Sequence, residues 1–323
     1  MTVDRPDLSV SRDSGDDYPS YYGRPVIKEP VWSWEIPWYF FTGGLAGASS
    51  CLGFVAGLTG NRWLGRTARL VSLGAATASP ILLISDLGRP DRFYNMLRVF
   101  KPTSPMSVGT WVLSSFGAAS GIAAATDVLG ILPRLGRVAE GLAALLGPAL
   151  STYTAVLVAD TSVPVWHEAR RELPLVFAGS SAASAGAAAI ILAPAESGTP
   201  ARRLLVGGAA VEVAASKAMK RNLGKLSEPY EKEEAGRYEK LSTALTIAGA
   251  ATVAFAERRR KWTALGGALT LAGAGAKRWS IFKAGFQSAR DPEYTLKHQR
   301  ERLARRSTEG RRTETFGGNG RAT

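Results

Sequence analysis

The side chains with the most chemical potential gather at the ends of the apolar stretches. Trp32-Ser33-Trp34-Glu35-Ile36-Pro37-Trp38-Tyr39 leads into the first of them. Ser85-Asp86-Leu87-Gly88-Arg89-Pro90-Asp91-Arg92 closes the second, and Lys101-Pro102-Thr103-Ser104-Pro105-Met106 opens the third, with Trp111 one turn on. Tyr153 and Asp160 end the fourth, just before Pro164, Trp166 and His167. Antiparallel helices would bring these groups to one membrane depth. There carboxylates (Glu35, Asp86, Asp160), hydroxyls (Tyr39, Ser104, Tyr153), indoles (Trp34, Trp111) and an imidazole (His167) converge. That set suits a flat apolar ligand that takes up two protons. Its ring stacks on aromatics, a donor bonds each carbonyl, and a carboxylate connects to water. A quinone answers this description.

Each group also has a plainer reading. Trp and Tyr at helix ends form the interfacial belt of most membrane proteins. Arg89 and Arg92 can anchor to lipid head groups or pair with Asp86 and Asp160, and Glu35 can sit opposite a helix dipole. His167 reads equally well as a donor at the edge of a site or as a structural loop histidine. It is the collection that points to function, because ionisable groups at the membrane boundary are costly unless paired or wetted.

The elements that must position these groups are helices in a bilayer. A mean hydropathy of −0.01 and 46% hydrophobic residues could describe a soluble protein. The average mixes polar ends, 1–30 and 287–323, with apolar tracts rich in Ala, Gly, Leu and Val. Roughly 17–25 apolar residues span a bilayer core. Tracts at 37–58, 68–85, 107–129, 139–159, 173–193, 204–219, 241–256 and 262–283 predict about eight membrane helices. The sixth carries Glu212 and Lys217, expected to be buried, and the eighth carries Lys277-Arg278, so six helices with two amphipathic ones is an open alternative. Loops alternate between two faces. The N-terminal face receives the arm, the long loops at 86–106, 160–172 and 220–240, and the tail; the other receives only short connections. Gly43/Gly47, Gly53/Gly57 and Gly117/Gly121 are small-xxx-small pairs that predict close helix packing. Pro80 and Pro148 can each free a carbonyl within a helix.

Counting residues narrows the chemistry. The chain has two histidines, His167 and His298, and His298 lies in the polar tail, which argues against an internal bis-histidine haem. The single Cys51 excludes an internal four-cysteine iron–sulfur cluster and any disulfide framework. Any electrons exchanged must come from, or go to, another subunit. The net charge of +13 is spread over loops and tail, as membrane topology already requires, and no aromatic-interleaved basic fold predicts nucleic-acid binding. No apolar segment precedes Val31, so no signal peptide is expected. The Arg-rich tail leans toward both termini in the cytoplasm.

At these same residues the sequence resembles the NrfD/polysulfide reductase membrane-anchor family. The resemblance rests on Trp32-x-Trp34 running into Phe40-Phe41 and Gly44-Leu45-Ala46-Gly47, and on Asp86-Leu87-Gly88-Arg89-Pro90. Its most specific part is Phe100-Lys101-Pro102-Thr103-Ser104-Pro105-Met106 followed by Gly109-x-Trp111. It covers about residues 20–170, with only the hydrophobic pattern similar beyond. It implies an all-α integral membrane protein of eight helices in two four-helix bundles, the N-terminal bundle (31–170) holding the quinone and a C-terminal bundle spanning 171–286. The arm 1–30 would dock partners, and 287–323 would be a basic tail. It further implies a menaquinone or ubiquinone, an iron–sulfur subunit docked over the site, and beyond it a molybdopterin catalytic subunit, of which a formate-dehydrogenase-like enzyme is one candidate.

On this reading the quinone lies among Trp34, Glu35, Tyr39, Ser104, Trp111, Tyr153 and His167. Tyr153 or Tyr39 donates to a carbonyl. Glu35 and Asp86 relay protons, with Arg89 holding Asp86 ionised or stabilising a half-reduced ring. The expected setting is the plasma membrane of a prokaryote, crossed several times. Two other classes stay open: a proton or solute transporter, favoured by the charges of the sixth tract, and a purely structural membrane anchor.

Overall fold

Short capping signals set the helix ends. The computed structural model describes residues 27–194, 198–255, 259–291 and 294. Helix α1 (Glu35–Leu58) ends at Thr59-Gly60, and Gly60 takes φ +76°, a left-handed turn open to glycine. Asn61 then caps α2 (Arg62–Ser85), its side chain accepting from Leu64 N at 3.2 Å. A 3-10 turn, Pro90–Leu97, fills the connection to α3 (Pro105–Leu129). Gly130 stops α3 at φ +66°, and Pro133 starts α4 (Pro133–Ala159). The short α5 (Pro164–Glu168) precedes α6 (Leu173–Leu192), α7 (Thr199–Leu223), α8 (Glu233–Phe255) and α9 (Arg260–Arg290).

Five of these, α1–α4 and α6, are long and apolar enough to cross a membrane. The expected tract boundaries were too narrow in both halves: α2 and α4 begin before the apolar stretches at 68–85 and 139–159, and α7, α8 and α9 run past theirs at both ends or at one. Their charged end residues extend the helix without being apolar, so hydropathy alone could not see them. Large apolar side chains such as Val55, Ile81, Leu145 and Phe255 face outward, as a lipid solvent permits. The connections alternate as the sequence predicts, with longer ones on the side where α1 begins. The arm and the tail lie outside the described residues except for 27–30, 287–291 and 294.

In the first half, α1 packs on α2 and α4, and α3 packs on α2 and α4. In the second, α6 packs on α7 and α9, and α8 packs on α7 and α9. Helix α1 also meets α6 and α9, which joins the halves. Small residues make these approaches possible. A Cβ on Gly47 would fall on the Gly147 carbonyl and Ser151 Oγ of α4, and Gly179 and Gly208 press α6 against α7 in the same way. Between them, Ser50 Oγ donates to Ala143 O at 3.1 Å and Ser151 Oγ to Gly44 O at 3.3 Å. Pro148 has no N–H to offer Ala144, and Cys51 Sγ donates to that freed carbonyl at 3.4 Å. Gly117 and Gly121 do not behave as expected: open space surrounds both, so that pair packs against no helix.

Charge sits inside both halves. Arg69 bonds Asp127 at 2.9 Å and Glu140 at 2.8 Å, tying α2 to α3 and α4. Glu212 is buried as predicted, but Lys217 is exposed, because five residues along a helix turn it to the opposite side. The lead-in to α1 is held at two points. Glu29 pairs with Arg290 Nε at 2.9 Å, and Ser33 N–H donates to Asp86 Oδ1 at 2.9 Å.

These contacts predict a contrast between two glycines. Gly47→Ala should lower stability by roughly 1–3 kcal/mol through overpacking, read as a drop in the thermal unfolding midpoint in detergent. Gly117→Ala should leave the midpoint unchanged or raise it slightly. Equal behaviour of the two variants would contradict the α1–α4 approach described here.

Candidate functional site

Ser104 and Pro105 open α3 as its N-cap and first residue, with Ser104 Oγ accepting from Ser107 N at 3.5 Å. That start places Met106, Gly109 and Thr110 on one face. A Cβ on Gly109 would lie inside the Tyr153 ring, so a glycine there is what admits the phenol of α4. Tyr153 thereby reaches Tyr39 of α1, and the two hydroxyls lie close enough to interact. Their approach falls short of good hydrogen-bond geometry, which leaves Tyr39 Oη buried without a partner. Tyr39 is 1% exposed.

These phenols line a cavity of about 70 Å³ together with Trp32, Phe40, Asp86, Met96, Met106 and Thr110. It lies where the ends of α1–α4 meet on the face that receives the N-terminus. Trp32 forms one wall, stacked on Trp166 at 5.6 Å and edge-on to Phe40 at 6.4 Å. Trp166 is fully buried and donates from Nε1 to Ile281 O at 2.8 Å, while the bare Cα of Gly285 makes room for its ring. This indole is a wedge between α5 and α9, not a member of the interfacial belt. Asp86 is half-buried, and its Ser33 bond turns it toward the cavity edge. The arrangement offers two phenolic donors, a carboxylate at the border with water, and an aromatic wall.

Of the residues singled out from sequence, Tyr39, Tyr153 and Asp86 come together here. Glu35 sits half-buried at the start of α1, outside the cavity lining, with Oε2 shielded and unpartnered. Trp34 is 58% exposed and Trp32 takes the place expected for it. The lead-in is not helical, so side chains two apart need not share a face, and only the local turn decides which indole goes inward. Arg89 is exposed and forms no ion pair with Asp86 among the described residues; Asp86 takes the Ser33 amide instead. Ser104 serves as a helix cap. Trp111 stands edge-on to Phe100 at 6.3 Å, away from the cavity. His167 is exposed and donates from Nδ1 to Ala159 O at 3.2 Å, and Asp160 is exposed beside it. Sequence reasoning passed over Met96, Thr110 and Met106 as lining residues. The spacing of Met106, Gly109 and Thr110 was a signal for one helix face, but it did not say what that face would meet.

A larger cavity, about 840 Å³, opens at the opposite end of α1–α4. It is lined by Arg62, Arg66, Arg69 and Arg137 with Asp127 and Glu140. Its walls carry no phenol or indole, and its charges suit water and ions better than an apolar ring. Charged positions inside the apolar tracts, Arg69, Asp127 and Glu140, were the sequence signal for it.

The Gly109 contact yields a direct prediction. Gly109→Ala should expel the Tyr153 phenol, raise the solvent accessibility of Tyr153 and cost roughly 1–3 kcal/mol in unfolding stability. Accessibility can be followed by tyrosine nitration with mass mapping; an unmodified Tyr153 in a fully folded variant would contradict the packing.

The sequence profile described as "Polysulphide reductase, NrfD" matches residues 25–200, more than half of the 323 residues. No curated protein matches the chain. The matched region contains α1–α6, every candidate site residue and the five apolar helices. By that match and by its apolar helices, the chain belongs to the polysulphide reductase NrfD family, multi-pass membrane subunits that work with oxidoreductase partners.

Proposed function

We propose that this chain is the quinone-binding membrane anchor of a multi-subunit oxidoreductase in the plasma membrane of a prokaryote. It passes electrons between a partner's iron–sulfur cluster and a menaquinone or ubiquinone held at the Tyr39–Tyr153 cavity. The observation that carries this reading is the pair of phenols meeting beside Asp86 and Trp32 at one end of α1–α4. On this account all eight long helices cross the membrane as two bundles of four, and the molybdopterin catalytic subunit lies beyond the iron–sulfur partner.

The residues fit a quinone ring in chemistry. Tyr39 Oη, buried and unpartnered, is a donor ready for a ligand carbonyl. Tyr153 supplies a second hydroxyl, and the Trp32 face supplies stacking. Asp86, half-buried at the rim, can move protons between the cavity and water. The quinone supplies two-electron, two-proton redox chemistry when bound; the chain orients it and handles its protons. A ring is larger than the present cavity, since a single water already takes about 30 Å³. Met96 and Met106 are the movable wall, because thioether side chains adapt readily to new shapes. Glu35 is a further proton carrier next to α1's start. The partner docks on the same face, where Phe93, Tyr94 and Phe100 are exposed among the basic residues of the 86–104 connection.

A second reading, a proton or solute transporter, draws on the buried Glu212 and Arg278 of α7 and α9. Gentle solubilisation separates the two, since a transporter should bring no iron–sulfur subunit with it. A purely structural anchor would carry no extractable quinone.

In the assembled complex, Tyr153→Phe should slow quinone-dependent turnover on the order of tenfold, the worth of one hydrogen bond of roughly 1–1.5 kcal/mol. Asp86→Asn should slow it at least as much, while the partner's activity with an artificial electron acceptor stays normal. Full quinone turnover in a Tyr39→Phe, Tyr153→Phe double variant would remove the basis for this site.

A further inference from the structure

The interior of α6–α9 holds ionised and polar groups that the Tyr39–Tyr153 cavity does not use. Nearest the N-terminal face, Lys220 Nζ lies 3.1 Å from Glu239 Oε1. Lys277 Nζ reaches both Glu239 oxygens at 2.8 Å, and Ser280 Oγ donates to Oε2 at 3.2 Å. That part of the cluster is complete. Deeper in, it is not. Glu212 and Arg278 are each 1% exposed. Arg278 Nη2 donates to Phe177 O at 3.2 Å and to Ser181 Oγ at 3.1 Å, with the guanidinium 3.7 Å from the Phe177 ring centre. Among the described residues, its Nε and Nη1 and both oxygens of Glu212 have no hydrogen-bond partner in good geometry, although Ser180 lies near enough to Glu212 to act on it. Nor have the hydroxyls of Ser180, Ser216, Ser242 and Thr246, so each of the four helices contributes an unpartnered polar atom.

An ionised group buried without partners is strongly disfavoured. Glu212 and Arg278 are complementary and near enough to act on each other, yet they make no direct ion pair. Groups so placed are joined by water, which completes several bonds at once in a polar interior. We propose that Glu212 is a water-linked proton-binding site within α6–α9, reached from the N-terminal face past Lys220, Glu239 and Lys277. Lys220 is partly exposed and forms the mouth. Glu212 lies eight residues deeper on the same helix, about 12 Å at 1.5 Å per residue. The charged groups that act on Glu212 are Lys277 and Arg278 from α9 and Glu239 from α8, with Ser180 of α6 beside it; Lys220 acts on Glu239. A carboxylate in that setting can gain a proton when negative charge appears nearby and release it when that charge leaves.

The site lies behind the Tyr39–Tyr153 cavity without opening into it. A Cβ on Gly44 of α1, five residues on from Tyr39, would come within 3.2 Å of Arg278 Nη2. Phe177, under the guanidinium, packs on Phe40 at 5.9 Å, and Phe40 lines the cavity. Two aromatic rings therefore stand between the Arg278 guanidinium and the cavity, and we take the coupling to act through the electric field. That coupling rests on the quinone reading; the proton site itself does not.

Infrared spectroscopy of the full chain in lipid nanodiscs, titrated in H2O and in D2O, tests the site without any quinone. The expected result is a carboxylic-acid carbonyl band that titrates, shifts promptly in D2O and disappears in Glu212→Gln. Glu212→Asp should move the band and keep the fold, which guards against a Gln variant that fails to assemble. A Ser216→Val variant, which narrows the polar interior, should slow the deuterium shift severalfold. Wild-type and Glu212→Gln spectra that show the same titrating bands, or a Glu212 band that fails to shift in D2O, would each overturn the proposal. Loss of quinone turnover in Tyr153→Phe with this band intact, or the reverse, distinguishes failure of one site from failure of the other.

Discussion

The close approach of α1 to α4 governs much of this structure. The two backbones touch at Gly47 and Gly147, where neither helix can carry a side chain. Serine bonds on either side, Ser50 to Ala143 and Ser151 to Gly44, fix the register of the antiparallel pair. Continued toward the N-terminal face, that register brings Tyr39 opposite Tyr153. Gly109 then clears the space for the second phenol from the α3 side. In lipid there is no hydrophobic force to drive helices together, so small residues and polar bonds carry the packing. The candidate site is thus a consequence of glycine placement two turns away from it. Helix α1 also touches α6 and α9, so the same helix joins the phenolic cavity to the charged interior behind it.

Much of the fold was legible because the bilayer imposes a simple rule on sequence. Five apolar tracts of sufficient length became five apolar helices, and short connections alternated with long ones as antiparallel helices require. Tyr39, Tyr153 and Asp86 were recognisable as a group because topology alone puts helix ends at one depth. What sequence could not give was rotation about each helix axis and the path of irregular segments. Trp32 and Trp34 exchanged roles for that reason. Ser104 looked like a ligand, but the Ser-Pro pair is a helix start, where the hydroxyl caps α3 and lies outside the cavity lining. Gly117 and Gly121 matched a packing motif and face open space, since a spacing says nothing about whether a partner helix is present. Trp166 was read with the interfacial aromatics, yet it is fully buried between α5 and α9.

The two halves of the molecule solve the burial of polar groups differently. Around the phenols, few charges are enclosed, and the carboxylate sits at the rim where water can solvate it. In α6–α9, Glu239 is enclosed but surrounded by Lys277, Lys220 and Ser280, while Glu212 and Arg278 face each other incompletely. The helices α7–α9 are correspondingly less apolar than α1–α4 and α6, the five that are long and apolar enough to cross a membrane. Buried ionic groups weigh against stability unless they are paired or hydrogen-bonded.

The central claim is that a quinone occupies the Tyr39–Tyr153 cavity and not the larger arginine-lined cavity at the other end of α1–α4. Photolabelling the purified complex with an azido-quinone, followed by peptide mapping, tests this most directly. The account predicts label on the segments around Trp32–Phe40, Met106–Thr110 and Tyr153–Leu157, abolished by excess unlabelled quinone. Competable label confined to the segments around Phe54–Arg69 and Thr126–Glu140 would contradict it.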